Sequence, residues 1–128
     1  MRLLLDTHVL LCAAADSDRL SSDARTLLED GANEIYYSAA CLWELAIKTP
    51  LRRRDFRVDL ATLEAVLPAM GLVELPVTGA HGAGVAKLPP IHRDPFDRLL
   101  IAQSLAERLT LVTHDAALRR YGTDLCLV

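Results

Sequence analysis

Short runs such as Leu3 to Leu5 and Leu109 to Thr113 are apolar on both faces, and longer helix-type stretches separate each run from the next. A strand with one wet face alternates polar and apolar residues, so runs of this kind belong in a sheet covered on both sides. The chain therefore reads as an α/β protein, a three-layer sandwich in which a parallel sheet of about five strands is flanked by helices. Along the chain, Ser21 to Glu29 reads as a serine-capped helix, and Glu34 to Tyr37 as a strand whose following Ser38 caps a helix over Ala39 to Lys48. Val58 to Met70 reads as a helix stopped by Gly71, Leu72 to Val77 as a strand and Gly79 to Lys87 as a short helix, with a break at Pro89 and Pro90. Asp94 to Arg108 is the clearest helix and Leu109 to Thr113 the clearest buried strand, followed by a short helix at Ala116 to Tyr121 and a last strand at Asp124 to Val128.

With 128 residues, 52% of them hydrophobic, the chain is expected to form a single domain over residues 1–128. At that size roughly two-thirds of the unfolded surface is buried, enough for a core without staples. Cys12, Cys41 and Cys126 are far apart and in no C-x-x-C pair, which points away from a disulfide framework or zinc knuckle and toward a reducing compartment. The start, MRLLLDTHVLLCAAA, imitates a signal peptide, but Asp6, Thr7 and His8 interrupt its apolar stretch. No apolar run approaches the ~18 residues of a membrane span. The expectation is a cytoplasmic protein, mature from Met1 and without a membrane partner. The net charge of −3 argues weakly against nucleic acid, yet Arg52, Arg53, Arg54 and Arg57 form one basic run.

In a parallel sheet, ligands bind at the carboxyl ends of strands where the strand order reverses. Asp6 directly follows the first strand run and Asp115 follows Leu109 to Thr113, so both are expected at that edge, as helix N-caps or as site residues. Glu44 lies in AACLWELAIK, a helix apolar almost all round, and is either paired with Lys48 one turn on or set in a pocket wall. In Asp94-Pro95-Phe96-Asp97 the first aspartate is an N-cap and Asp97 resembles the reciprocal acid of a capping box. Asp97 nevertheless shares a helix face with Leu100, Ile101 and Ser104, beside the core. Four carboxylates in one crevice repel each other by roughly 4 kcal/mol per pair about 4 Å apart at an effective dielectric of 20. Either some bind protons or a hard cation sits among them, and an all-oxygen set selects Mg²⁺ or Mn²⁺ over Zn²⁺. Such sites activate water against a phosphodiester.

The stretches LLLDT (3–7), SAACLWELAIK (38–48), HRDPFDRLLIAQ (92–103) and LVTHD (111–115) resemble the four acidic motifs of the PIN domain, and are close to the VapC-type ribonuclease toxins of toxin–antitoxin pairs. The resemblance spans nearly the whole chain. It implies a five-stranded parallel sheet, Mg²⁺- or Mn²⁺-dependent endoribonuclease activity, a homodimer and a small inhibitory antitoxin protein. Asp6, Glu44, Asp97 and Asp115 fall on the family's four acids as catalytic and metal-holding residues, with Asp6 and Asp97 the principal ligands; Thr7 and Thr113 supply supporting hydroxyls. Where relatives commonly have a glycine-containing turn after the second acidic helix, this chain has Pro50 and Arg52 to Arg54.

Arg52, Arg53, Arg54, His92 and Arg98 are candidate contacts to RNA phosphates. His8, His81, His92 and His114 have no metal-ligand spacing, and Gly82 to Lys87 lacks the phosphate-loop pattern. Other readings keep Asp6 as a phosphoryl-accepting nucleophile, although His8 stands where a second aspartate is usual, or make the chain a silent RNA- or protein-binding PIN module, or a housekeeping nuclease with no toxin role.

Overall fold

A computed structural model describes residues 1–48 and 59–128. The basic run Arg52, Arg53, Arg54 and Arg57, together with Pro50 and Val58, lies outside the described residues. Five strands, β1 (Arg2–Leu5), β2 (Glu34–Ser38), β3 (Val73–Leu75), β4 (Thr110–Thr113) and β5 (Leu125–Leu127), form one sheet in the order β3-β2-β1-β4-β5. Every pairing is parallel. Leu3, Leu4 and Leu5 of the central strand are fully buried, which is why this run shows no alternation. Each contributes roughly 1.5 to 3 kcal/mol by burial.

Among the described residues, six α-helices flank the sheet: α1 (Thr7–Ala14), α2 (Ser22–Glu29), α3 (Ala39–Lys48), α4 (Leu60–Ala69), α5 (Gly79–Val85) and α6 (Pro95–Glu107), with a 3₁₀ helix at Ala116–Tyr121. The expected three-layer α/β sandwich is therefore the architecture found. Ser21 caps α2 by accepting the Ala24 N–H, and the Ser38 hydroxyl accepts the Ala40 N–H at the start of α3. Gly71, at φ +82°, turns the chain out of α4 toward β3.

The structure trims several elements. β3 is shorter than Leu72 to Val77, and Pro76, which has no N–H, directly follows it. Leu109 follows the C-cap of α6, where its N–H donates to Ser104 O at 2.9 Å, and does not belong to β4. The short helix before β5 is 3₁₀ rather than α. The apolar appearance of α3 also misleads on one face, where Trp43 is 60% exposed and Ile47 43%. Among the described residues, no helix is long and apolar enough to cross a membrane. Cys12, Cys41 and Cys126 are free thiols.

Candidate active site

From β1 the chain steps outward through β2 to β3, then returns on the other side of β1 with β4 and β5. The order thus reverses between β1 and β4, the crevice-forming point of a parallel sheet. Asp6 extends the β1 ladder by donating its N–H to Val112 O at 3.0 Å. Its carboxylate caps α1, Oδ1 accepting the Val9 N–H at 2.8 Å. The other oxygen, Oδ2, accepts the hydroxyl of Thr113. Thr113 is fully buried and its Oγ1 accepts the Asp115 N–H at 3.1 Å, so one hydroxyl ties the two strand-end aspartates together. Asp115 in turn caps the 3₁₀ helix through the Ala117 N–H at 3.0 Å. Cap and site are compatible: each oxygen has two lone pairs and the capping bond uses one.

Glu44 satisfies both of its sequence readings at once. It is 5% exposed, it forms an ion pair with Lys48 through Oε2, and it stands in the crevice wall. Its Oε1 accepts the Thr7 hydroxyl at 2.7 Å. Thr7 also lies 3.3 Å from Cys41 Sγ, and burial pushes that thiol up to about 12, so it stays protonated.

Asp94 is the N-cap of α6, its Oδ1 accepting the N–H groups of Phe96 at 2.8 Å and Asp97 at 3.4 Å. The reciprocal half of a capping box is not made, because the Asp94 N–H donates to His92 Nδ1 at 3.1 Å. That bond makes Nδ1 the acceptor, which in the neutral ring leaves the proton on Nε2. His92 Nε2 lies 3.6 Å from Asp97 Oδ2 and 3.5 Å from Asp115 Oδ2. The ring therefore faces both acids as a donor.

Asp6, Glu44, Asp97 and Asp115 line one crevice of about 190 Å³, with Thr7, Thr113, His8, Lys48, Asp94 and His114. Burial raises the Asp97 carboxyl to about 7, with the charges of Asp94, Asp6 and Glu44 adding to the shift and His92 opposing it. Burial also raises Asp6, against the Thr113 and Val9 hydrogen bonds. Both shifts come chiefly from burial of the carboxyl, and at Asp97 neighbouring negative charges add to it. A raised folded pKa means the folded state holds a proton that the unfolded state has lost. Metal-free protein is thus expected to gain thermal stability as pH falls from about 7 toward the ordinary carboxylate value of 3.8. Melting curves in EDTA at neutral and mildly acidic pH test this, and a midpoint that drops with the pH would contradict it.

The donor set fits a divalent cation. Among the described residues, His92, Asp97 and Asp115 offer ligand atoms within 4.8 Å of one another, a group that does not include Asp6 or Glu44. Since the Asp94 N–H occupies Nδ1 and leaves the proton on Nε2, the oxygens are the available donors, the kind Mg²⁺ and Mn²⁺ take. The i+4 spacing gives Lys48 as the partner of Glu44, but nothing in the local pattern shows that the His92 side chain is turned toward Asp97 and Asp115.

Arg98, a candidate phosphate contact, is engaged by acceptors within the chain. Its guanidinium donates to the carbonyls of Pro89 at 2.9 Å, Val85 at 3.2 Å and Leu88 at 3.4 Å, and to Tyr121 Oη at 3.3 Å. Tyr121 Oη also accepts the His92 N–H at 2.7 Å. Arg98 thus clamps the segment that carries His92. His92 itself, the other candidate for phosphate among the described residues, is turned to the carboxylates.

A search of curated proteins finds no match to the chain. Among solved structures it is similar to VapBC2 from Rickettsia felis bound to a promoter DNA fragment, at 20% identity and a TM-score of 0.71, covering 100% of this chain and 98% of the other. FitAcB from Neisseria gonorrhoeae is similar at 19% identity and a TM-score of 0.62, covering 96% and 95%. VapBC-5 of Mycobacterium tuberculosis, from the VapBC family of toxin–antitoxin systems, is similar at 18% and 0.62, covering 99% and 97%. These likenesses concern the fold. The PIN domain family's sequence model matches residues 3–123, a span that contains all four acids, and the chain belongs to that family.

Proposed function

We propose that this chain is an endoribonuclease dependent on Mg²⁺ or Mn²⁺ and the toxin of a toxin–antitoxin pair. The observation that carries the reading is the convergence of Asp6, Glu44, Asp97 and Asp115, from four separate stretches of chain, in one crevice at the sheet's switch point. Membership of the PIN family supports a nuclease, and the structural likeness to VapBC proteins, a family of toxin–antitoxin systems, supports the toxin role.

In this reading Asp6 and Asp97 are the principal metal-holding residues, completed by Glu44 and Asp115. A divalent ion bound there supplies charge stabilisation at the phosphodiester and an activated water. The chain's own residues hold the geometry. Thr113 fixes Asp6 relative to Asp115 and Thr7 fixes Glu44, while His92 Nε2 lies near both Asp97 and Asp115. Lys48 sets a positive charge in the same wall. Association with an antitoxin protein and with a second copy of the chain belongs to the same proposal.

Purified protein is expected to cut single-stranded or looped RNA with Mg²⁺ or Mn²⁺ and to stop in EDTA. Full activity in EDTA, or activity with Zn²⁺ alone, would overturn the cation reading; no cleavage under any condition would favour a silent binding module. Expression alone should arrest growth and a co-expressed antitoxin should rescue it, whereas harmless expression of an active enzyme would mark a housekeeping nuclease. Thr113→Val keeps the buried shape but removes the hydroxyl from both aspartates. It is expected to cost about 1 to 3 kcal/mol in a melt and to lower cleavage by about 10- to 100-fold, as loss of a ligand-orienting group does. Unchanged cleavage in a folded Thr113→Val protein would remove Thr113 from the machinery.

A further inference from the structure

The acidic crevice continues beyond its acids. His8, in the first turn of α1, and His114, just after β4, come from opposite ends of the chain, and their ring centroids lie 4.5 Å apart at 60°. The pair belongs to the crevice wall and also lines a second cavity of about 260 Å³ together with Cys12, Leu20 and Arg19. His8 is half-buried and His114 and Arg19 are exposed. The two cavities therefore share a wall made of two aromatic rings, with carboxylates on one side and a guanidinium on the other.

A strand of nucleic acid lying in this groove meets three chemistries in turn. Its reacting phosphate needs the acids and their cation, the base beside it needs a flat apolar face, and its next phosphate needs a positive charge. Base-on-ring stacking tolerates any sequence, because every base has a π-face. A chain with net charge −3 gives RNA no general attraction, so cations have to be local. We propose that the second cavity is a nucleotide subsite: the base next to the scissile phosphate stacks on the His8 and His114 rings, and Arg19 takes the neighbouring phosphate. The proposal rests on the ribonuclease reading above and adds a specific path for the strand. It uses the rings as surfaces and not as acids or ligands.

The test measures RNA binding apart from cleavage, by fluorescence anisotropy of a labelled single-stranded RNA of mixed sequence, with Mn²⁺, in the Asp97→Asn protein. In that background, His8→Ala with His114→Ala is expected to weaken binding by roughly tenfold, the scale of one lost stacking contact. His8→Phe with His114→Phe restores binding to within about threefold, because phenyl rings stack but carry no proton or lone pair. Arg19→Ala is expected to reduce the slope of log affinity against log salt by about 0.7, the value for one phosphate contact to a single strand. Thermal melts establish that each variant is folded. Unchanged affinity in the alanine pair overturns the stacking, and a phenylalanine pair as weak as the alanine pair shows that the imidazoles do something other than stack. An unchanged salt slope in Arg19→Ala removes the phosphate contact. Variants that bind RNA normally but escape inhibition by the antitoxin would show that the cavity receives protein. If the parent neither binds nor, with Asp97 restored, cuts any RNA, the ribonuclease reading itself fails, a result distinct from all of these.

Discussion

Asp97→Asn is expected to abolish nearly all RNA cleavage while leaving metal-free stability unchanged or raised. The side chain keeps its shape and loses the charge that a hard cation takes. Cleavage should fall on the order of 10² to 10³, which is what a few kcal/mol of lost transition-state stabilisation amounts to. Stability does not suffer because burial already holds this carboxyl up at about 7, and the charge removed is one the folded state disfavours. Asp94→Ser is the control within the same four residues. A serine keeps an N-cap oxygen for the Phe96 and Asp97 N–H groups, so the helix should lose at most about 0.5 kcal/mol and cleavage should stay within about tenfold. Single-turnover cleavage and thermal melts of both variants decide it. A dead Asp94→Ser beside an active Asp97→Asn would mean that the third acid is the other aspartate.

Arg98→Met should be the most destabilising of the single changes considered. The guanidinium serves three backbone carbonyls and the Tyr121 hydroxyl, and methionine covers the same surface without donating to any of them. A loss of about 2 to 4 kcal/mol follows, since bonds from a charged donor are worth more than neutral ones and part of this set is open to water. Cleavage falls with stability, because the 85–89 segment and Tyr121 position His92. If Arg98 instead serves only RNA, the melting temperature stays put and only KM rises.

The legible parts of this protein were those written in local pattern. Asp6 and Asp115 could be placed because each follows a run apolar on both faces, and a parallel sheet puts strand ends at its functional edge. Glu44 was conspicuous as an acid among apolar neighbours, and it is indeed buried. What escaped depends on contacts between distant segments. The acceptors of Arg98 are carbonyls and a tyrosine hydroxyl, and no sequence pattern marks a carbonyl as waiting for a donor. His92 reads as a loop residue until the Asp94 N–H fixes which of its nitrogens faces the acids. Trp43 is apolar and yet outside, because hydropathy cannot tell which face of α3 the sheet covers. His8 and His114 carry no mutual spacing at all; only the pairing of β1 with β4 brings them together.

The central claim is that four carboxylates form one cation site, and a thermal titration with Mn²⁺ tests it most directly. A ligand that binds only the folded state adds about 2.7 kcal/mol at a hundred times its Kd, which for a chain of this size is roughly 8 to 13 °C in Tm. The wild-type protein should rise by that order, with half-saturation set by a single affinity. Asp6→Asn, Glu44→Gln, Asp97→Asn and Asp115→Asn, each folded without metal, should all rise less at the same Mn²⁺ concentration, Asp6→Asn and Asp97→Asn least. A wild-type shift matched by all four variants, or no shift at all, would contradict the account.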